Sequence, residues 1–512
     1  MDINLNISFS QALFTSIIIL FLFHKLRNWF QTKSSAPKLP PGPRKLPIIG
    51  NIHNLAGAMP HHRLAELANT YGPLMHLKLG EKSMVVVSSA EAAKEIMKVH
   101  DVNFASRPYT LAGEIFVYNF KDIAQIPYGE YWRQARKIFS LELLSSKRVQ
   151  SFRALREEVV TKMVAEIAAS AETGTAVNLS DKLFMFSHGL ISGAAFGRKD
   201  KYGIRFKEII RRLVELAGGF SVADIFPSLK FLQVMSGVRP GLEKLAKEAD
   251  EVLEDMLREH RTARANKDFQ LTGEDEEKDL VDVLLDLQQE QSNKDFQLTD
   301  DSIKALLEDC FLGGTETGSS TIEWIISEML RNPRVLRKAQ AEVRELHARK
   351  GGLQETDLHE LTYMNQVIRE NFRMHPPLPL LLPRESAENR VIFGHDIPAK
   401  TQVIVNVWAI GRDPRIWEDP DTFYPERFEN NPIDFRGSDF ELLPFGAGRR
   451  ICPGISFGMA SVEVGLANLL CHFDWKLPDG NKFEQVDMSE AFGSAVRRKT
   501  DLWLVPLPRK NL

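Results

Sequence analysis

Between residues 443 and 454 the chain reads Leu-Pro-Phe-Gly-Ala-Gly-Arg-Arg-Ile-Cys-Pro-Gly, and no other stretch limits its folding as much. Glycine lets the backbone take φ > 0 and approach a neighbour closely, and Gly448 and Gly454 stand on either side of Cys452. Phe445 is placed to pack over the sulfur and keep water away. Free backbone N–H groups in such a loop can hydrogen-bond a thiolate and set its donor strength. Arg450 offers a fixed positive charge suited to a carboxylate. A helix starting at Ile455 puts its positive N-terminal end near the sulfur. The loop reads as a device for presenting Cys452 as a metal-ligating thiolate.

The two other cysteines, Cys310 and Cys471, are too few and too scattered for a disulfide framework, which points to a reducing compartment. No CxxC pair or Cys/His cluster suggests zinc. The 512 residues are 43% hydrophobic and 26% charged, ordinary for a globular protein with a large core. A net charge of −3 gives no reason to expect nucleic acid as a partner.

Residues 7–23 are mostly apolar, and as a helix they would span roughly 25 Å, enough for a thin bilayer such as that of the endoplasmic reticulum. Lys25, Arg27 and Lys33 follow and Asp2 precedes, so the positive-inside rule leaves the remaining chain in the cytosol. A cleaved signal peptide fits less well, because the basic residues lie after the apolar run and no A-x-A-like site follows. Pro37, Pro40, Pro41, Pro43 and Pro47 then read as a stiff, extended spacer. The expected organisation is a single-pass membrane anchor at 1–24, a basic and proline-rich hinge at 25–47 and one catalytic domain at 48–512.

Periodicity in that domain is mainly helical, with a smaller β region. Strands are expected at 74–79 and 84–88 around a Gly80 turn, and at 390–405 around Gly394. Helices are expected at 90–99, 153–169, 242–265 and 304–330, the last interrupted by Gly313, Gly314 and Gly318. The heptapeptide at 266–272 recurs at 293–299, and two copies read as a local duplication in a solvated linker rather than a repeat fold.

The loop resembles the cytochrome P450 haem-binding signature F-x-x-G-x-R-x-C-x-G through Phe445, Gly448, Arg450, Cys452 and Gly454. Five fixed residues at this spacing arise by chance on the order of 10⁻⁴ times in such a chain. Glu370 and Arg373 resemble the helix K motif E-x-x-R, and Pro425-Glu-Arg-Phe428 the P-E-R-F element, whose Arg427 completes a buried structural triad. Gly313, Gly314, Glu316 and Thr317 resemble the helix I motif, with Gly318 departing from its usual Ser or Thr. The Thr317 hydroxyl can bond the carbonyl of Gly313 and open the helical ladder. Trp132 and Arg136 resemble the helix C element W-R-x-x-R, and Arg384 occupies the place of another propionate-binding arginine.

The resemblance implies the P450 fold, a thiolate-ligated haem b on Cys452, and propionate contacts from Trp132, Arg136, Arg384 and Arg450. It implies O2 activation with proton delivery through Thr317 and Glu316, and electrons from NADPH-cytochrome P450 reductase. The basic residues Arg133, Lys137, Lys147 and Arg148 read either as a docking face for an acidic reductase or as plain solvated surface. A finer similarity to plant microsomal P450s of the terpene-oxygenase kind implies hydroxylation of a hydrophobic small molecule, first a terpenoid and otherwise an alkaloid or flavonoid. By the same analogy Leu111, Ile115, Phe116, Gly313, Leu380, Leu381 and Val496 line the substrate pocket. A reductase-independent rearranging enzyme of the same fold, or a non-catalytic haem-binding membrane protein, fits less well with an intact Glu316–Thr317 pair.

Overall fold

The computed structural model describes residues 37–509 except 58, 198–201, 218–221, 266–277, 291–296, 481, 492 and 494. The expected anchor, the first part of the hinge, the first heptapeptide copy and most of the second lie outside the described residues. The described hinge is not a free spacer. The N–H of His76 donates to the carbonyl of Pro41 at 2.9 Å, and a Cβ on Gly42 would lie 2.0 Å from the His76 oxygen. Glycine at 42 lets the proline-rich segment lie directly against the first strand.

The expected dominance of helix over sheet is what the structure shows. The helices that position the site are α1 (Pro60–Tyr71), α2 (Ala90–Lys94, continued by a wider turn through Val99), α3 (Glu130–Ile138), α4 (Arg153–Thr173) and α5 (Leu179–Phe196). They continue with α6 (Val238–Ala265), α7 (Asp300–Gly314), α8 (Glu316–Arg331), α9 (Thr362–Met374) and α10 (Ile455–His472). α10 is apolar nearly all round and is mostly buried, as a central core helix should be. It is the one helix among the described residues long and apolar enough to cross a membrane.

The strands are β1 (Leu74–Leu79), β2 (Lys82–Val87), β3 (Val177–Asn178), β4 (Arg384–Glu385), β5 (Arg390–Ile392) and β6 (His395–Ile397). β7 (Gln402–Val405), β8 (Phe473–Lys476), β9 (Glu490–Ala491), β10 (Arg497–Arg498) and β11 (Trp503–Pro508) complete them. The largest sheet has the order β1-β2-β7-β4, with β2 and β7 parallel and the other pairs antiparallel. Gly80 turns the β1–β2 hairpin at φ +57. Smaller sheets are β3-β11-β8, β9-β10 and β5-β6.

The segment read as one interrupted helix at 304–330 is two helices meeting at Thr315. Thr299 caps the first through Oγ1, which accepts the Ser302 N–H at 3.2 Å. The two glycines at the break have different reasons. A Cβ on Gly314 would lie 2.3 Å from Ile191 of α5, so this glycine lets two helices pack closely. A Cβ on Gly313 would meet nothing within 4 Å, so this one opens space.

Candidate active site

The cysteine loop is built by local hydrogen bonds. The Cys452 N–H donates to the Phe445 carbonyl at 3.0 Å, and the Ile451 N–H to that of Gly448 at 3.1 Å. Gly446 and Gly448 take φ of +69 and +68. Gly454 does not: its φ is −87, and its place beside the sulfur, not a left-handed backbone, is its contribution. Its N–H hydrogen-bonds the Cys452 sulfur. A Cβ on Gly448 would fall 2.2 Å from the Met97 carbonyl and 2.7 Å from Asp101. Gly448→Ala is therefore expected to destabilise the protein by at least about 2 kcal/mol, read from a denaturant midpoint.

Asp101, which no motif marked, clamps the loop. Its carboxylate accepts the Arg449 N–H at 2.9 Å, the Arg449 side chain at 3.0 Å and Arg384 at 3.2 Å. Arg384 also donates to the Ala447 carbonyl at 2.8 Å. Phe445 packs edge-on to Phe372 of α9 at 5.1 Å and near Phe435 at 5.6 Å.

A cavity of about 290 Å³ adjoins this loop. Its wall holds Cys452, Phe445, Gly446 and Phe372, then Gly313, Gly314, Thr317 and Gly318 from the α7–α8 break. Ile123, Phe139, Leu144, Leu190, Ile191 and Ala194 make much of the rest. Thr317 Oγ1 donates to the Gly313 carbonyl at 2.6 Å, the bond expected from its spacing. Glu316 is the next residue, at the start of α8.

Four arginines also reach the wall: Arg107, Arg136, Arg384 and Arg450. Arg450 donates to the carbonyls of Ala105, Ile123 and Ile126, and its guanidinium lies 4.5 Å from the Trp132 ring. Burial, with Arg384 beside it, pushes Arg450 down to about 9. It remains charged at neutral pH. The Trp132 indole N–H donates to the Ile123 carbonyl at 3.2 Å, so in this structure it serves the backbone. Arg107 is likewise held by the carbonyls of Ala124, Leu382 and Pro383. Burial lowers Arg136, and the acidic group that counters this is Cys452.

These residues fit haem. One sulfur in the cavity wall, hydrogen-bonded by one N–H, is available to ligate iron. Carbonyls orient two of the guanidinium groups without neutralising them, and Asp101 answers Arg384 only in part. A dianionic macrocycle would balance that charge while its flat body met apolar side chains. Burial pushes the Cys452 thiol up, opposed by the Gly454 N–H and Arg136. Metal ligation would favour the thiolate further.

The triad lies behind this wall. Arg373 donates twice to Glu370 at 2.8 Å, and Arg427 Nε donates to the same carboxylate at 2.9 Å. α9 thus carries the network, while its Phe372 faces the cavity.

Of the expected substrate-facing residues, Gly313 and Leu381 lie in the cavity wall. Leu111 and Phe116 are buried in the main core, and Ile115 packs against it. Leu380 joins the cluster around β1. Val496 lines a separate cleft with Trp324 and His375, because its main chain is held by Pro377 and Trp324. Asp309, at the start of the 309–313 stretch that the family resemblance placed along the pocket, also lines the cavity and accepts the Ile123 N–H at 2.7 Å. It stands four residues before Gly313, on the same helical face.

A family model described as Cytochrome P450 matches residues 40–505. Premnaspirodiene oxygenase of Hyoscyamus muticus is 50% identical over 97% of this chain and 98% of its own length. Cytochrome P450 71D10 of Glycine max is 49% identical over 99% of each. Among solved structures, a zebra fish cytochrome P450 with progesterone matches at a TM-score of 0.75 and 25% identity, covering 88% of this chain and 100% of that one.

Proposed function

The chain belongs to the cytochrome P450 family and is a haem-thiolate monooxygenase, and from that premise we propose that it hydroxylates a terpenoid of plant specialised metabolism with electrons passed from NADPH by a P450 reductase. The observation that carries the reading is one cavity, largely apolar, whose wall contains both Cys452 and the Gly313–Thr317 break. An apolar wall selects a hydrophobic substrate. The name of the relative from Hyoscyamus muticus gives a diene as its substrate, which supports a hydrocarbon skeleton here.

Haem bound at Cys452 supplies the iron at which O2 is reduced and one oxygen atom is delivered to carbon. The chain's own residues prepare that chemistry. Cys452 offers its thiolate, moderated by the Gly454 N–H. Arg136, Arg384 and Arg450 would hold the propionates, with Trp132 packed on Arg450. Thr317 Oγ1 passes a proton inward from the opened ladder, and Glu316 beside it resupplies that proton. The exposed Arg133, Lys137 and Lys147 furnish a basic face for the reductase, and residues 1–24 anchor the chain in the endoplasmic reticulum membrane with its catalytic domain in the cytosol.

Incubation with reductase, NADPH and a panel of terpenoids should yield products carrying one added oxygen. Turnover confined to highly charged compounds, or persisting without NADPH and reductase, would contradict the reading. Thr317→Ala should cut product formed per NADPH consumed by about tenfold or more while NADPH oxidation continues. Unchanged coupling would remove Thr317 from proton delivery.

A further inference from the structure

His61 and His62, on the first turn of α1, meet Glu490 of β9, 429 positions from His61 in the chain. Nε2 of His61 lies 2.9 Å and Nε2 of His62 3.1 Å from the same carboxylate oxygen, Oε2. Neither histidine belongs to the haem cavity, and no step above uses the cluster. We propose that His61 Nε2, His62 Nε2 and the Glu490 carboxylate form a binding site for a divalent transition metal ion of the zinc class.

Two imidazoles and one carboxylate are a donor set that zinc accepts, with a fourth position left for water. Metal–ligand bonds of about 2.0–2.2 Å in tetrahedral array put neighbouring donors about 3.4 Å apart, so the present spacings need open by only a few tenths of an ångström. The side chain of His62 is 38% exposed and that of Glu490 10%, so an ion can enter from solvent.

The surroundings fit ligation through Nε2. A histidine that binds a metal through Nε2 carries its ring proton on Nδ1, and His61 Nδ1 is buried with no hydrogen-bond partner among the described residues. The Trp408 ring lies 4.3 Å from that of His62 and 5.5 Å from that of His61. The facing cation is Arg412, stacked on Trp408 at 4.1 Å and paired with Asp421 at 3.4 Å. A bound ion would tie α1 to the β9–β10 hairpin. The Val496 N–H, next to β10, donates to Pro377 at 2.8 Å, and Pro377 stands in the haem-cavity wall.

The test uses the haem-loaded full-length protein in detergent, stripped with a chelator and then titrated with Zn²⁺ alone. Bound zinc is counted per haem, and X-ray absorption reads its donors. One zinc per chain is expected, with nitrogen and oxygen donors only. His62→Ala and Glu490→Gln should each weaken binding at least about tenfold, with an unchanged haem spectrum reporting an intact fold. Sulfur donors, no saturable binding up to about 0.1 mM Zn²⁺, or full retention in either variant overturns the proposal. Retention would move the ion elsewhere, for example to the cluster of His260, Asp279 and Asp282.

Discussion

Glu370→Ala is expected to lose about 3–5 kcal/mol of stability and to leave the protein unable to retain haem. The Glu370 carboxylate is fully buried and accepts four hydrogen bonds: two from Arg373, one from Arg427 and one from the Tyr424 N–H at 2.8 Å. Arg373 is as deeply buried and also donates to the carbonyls of Gly411 at 2.7 Å and Pro420 at 2.6 Å. Deleting the carboxylate leaves two guanidinium charges with carbonyl partners alone, and an unpaired buried charge is what makes such a loss large. Glu370→Gln keeps the shape and one acceptor, so it should fall between alanine and the parent. Haem retention should follow stability, because α9 carries this network behind Phe372, and Phe372 braces Phe445 of the cysteine loop. Denaturant midpoints and haem content check both. A midpoint within about 0.5 kcal/mol of the parent would reduce the network to surface-like worth.

Cys452→Ala is expected to lower hydroxylation by about a thousandfold or more, equivalent to ~4 kcal/mol of barrier. The loop itself should survive the change, because the bonds that shape it, the Cys452 N–H to the Phe445 carbonyl and the Asp101 clamp among them, do not use the sulfur. The loss therefore reports on the sulfur as ligand, not on folding. Turnover within tenfold of the parent would assign the chemistry to another group. Thermal unfolding measured in parallel should change far less than it does for Glu370→Ala.

What could be read in the sequence was what lies close in it. Glu370 with Arg373, Thr317 with Gly313, and Phe445 through Gly454 are separated by a turn of helix or one loop, and helical spacing or glycine placement makes their geometry nearly inevitable. Distant partnerships were not legible. Asp101 holds Arg449 across 348 positions, and nothing in either residue's neighbours announces it. His61 and Glu490 meet across a still longer span, so no spacing along the chain pairs them. The residues expected along the pocket divide in the same way. Gly313 is fixed by its own helix, whereas Leu111, Phe116 and Val496 take their direction from tertiary packing. Gly454 shows a finer limit: composition marked the residue, but only the backbone reveals that its φ is negative and that its N–H, not its freedom, serves the sulfur.

The central claim, that Cys452 ligates haem iron as a thiolate, is tested most directly by the carbon monoxide difference spectrum of freshly prepared, dithionite-reduced protein. A Soret band at the red-shifted position of a thiolate-ligated haem is the predicted result. A band from intact protein at the unshifted position of a neutral ligand would contradict it.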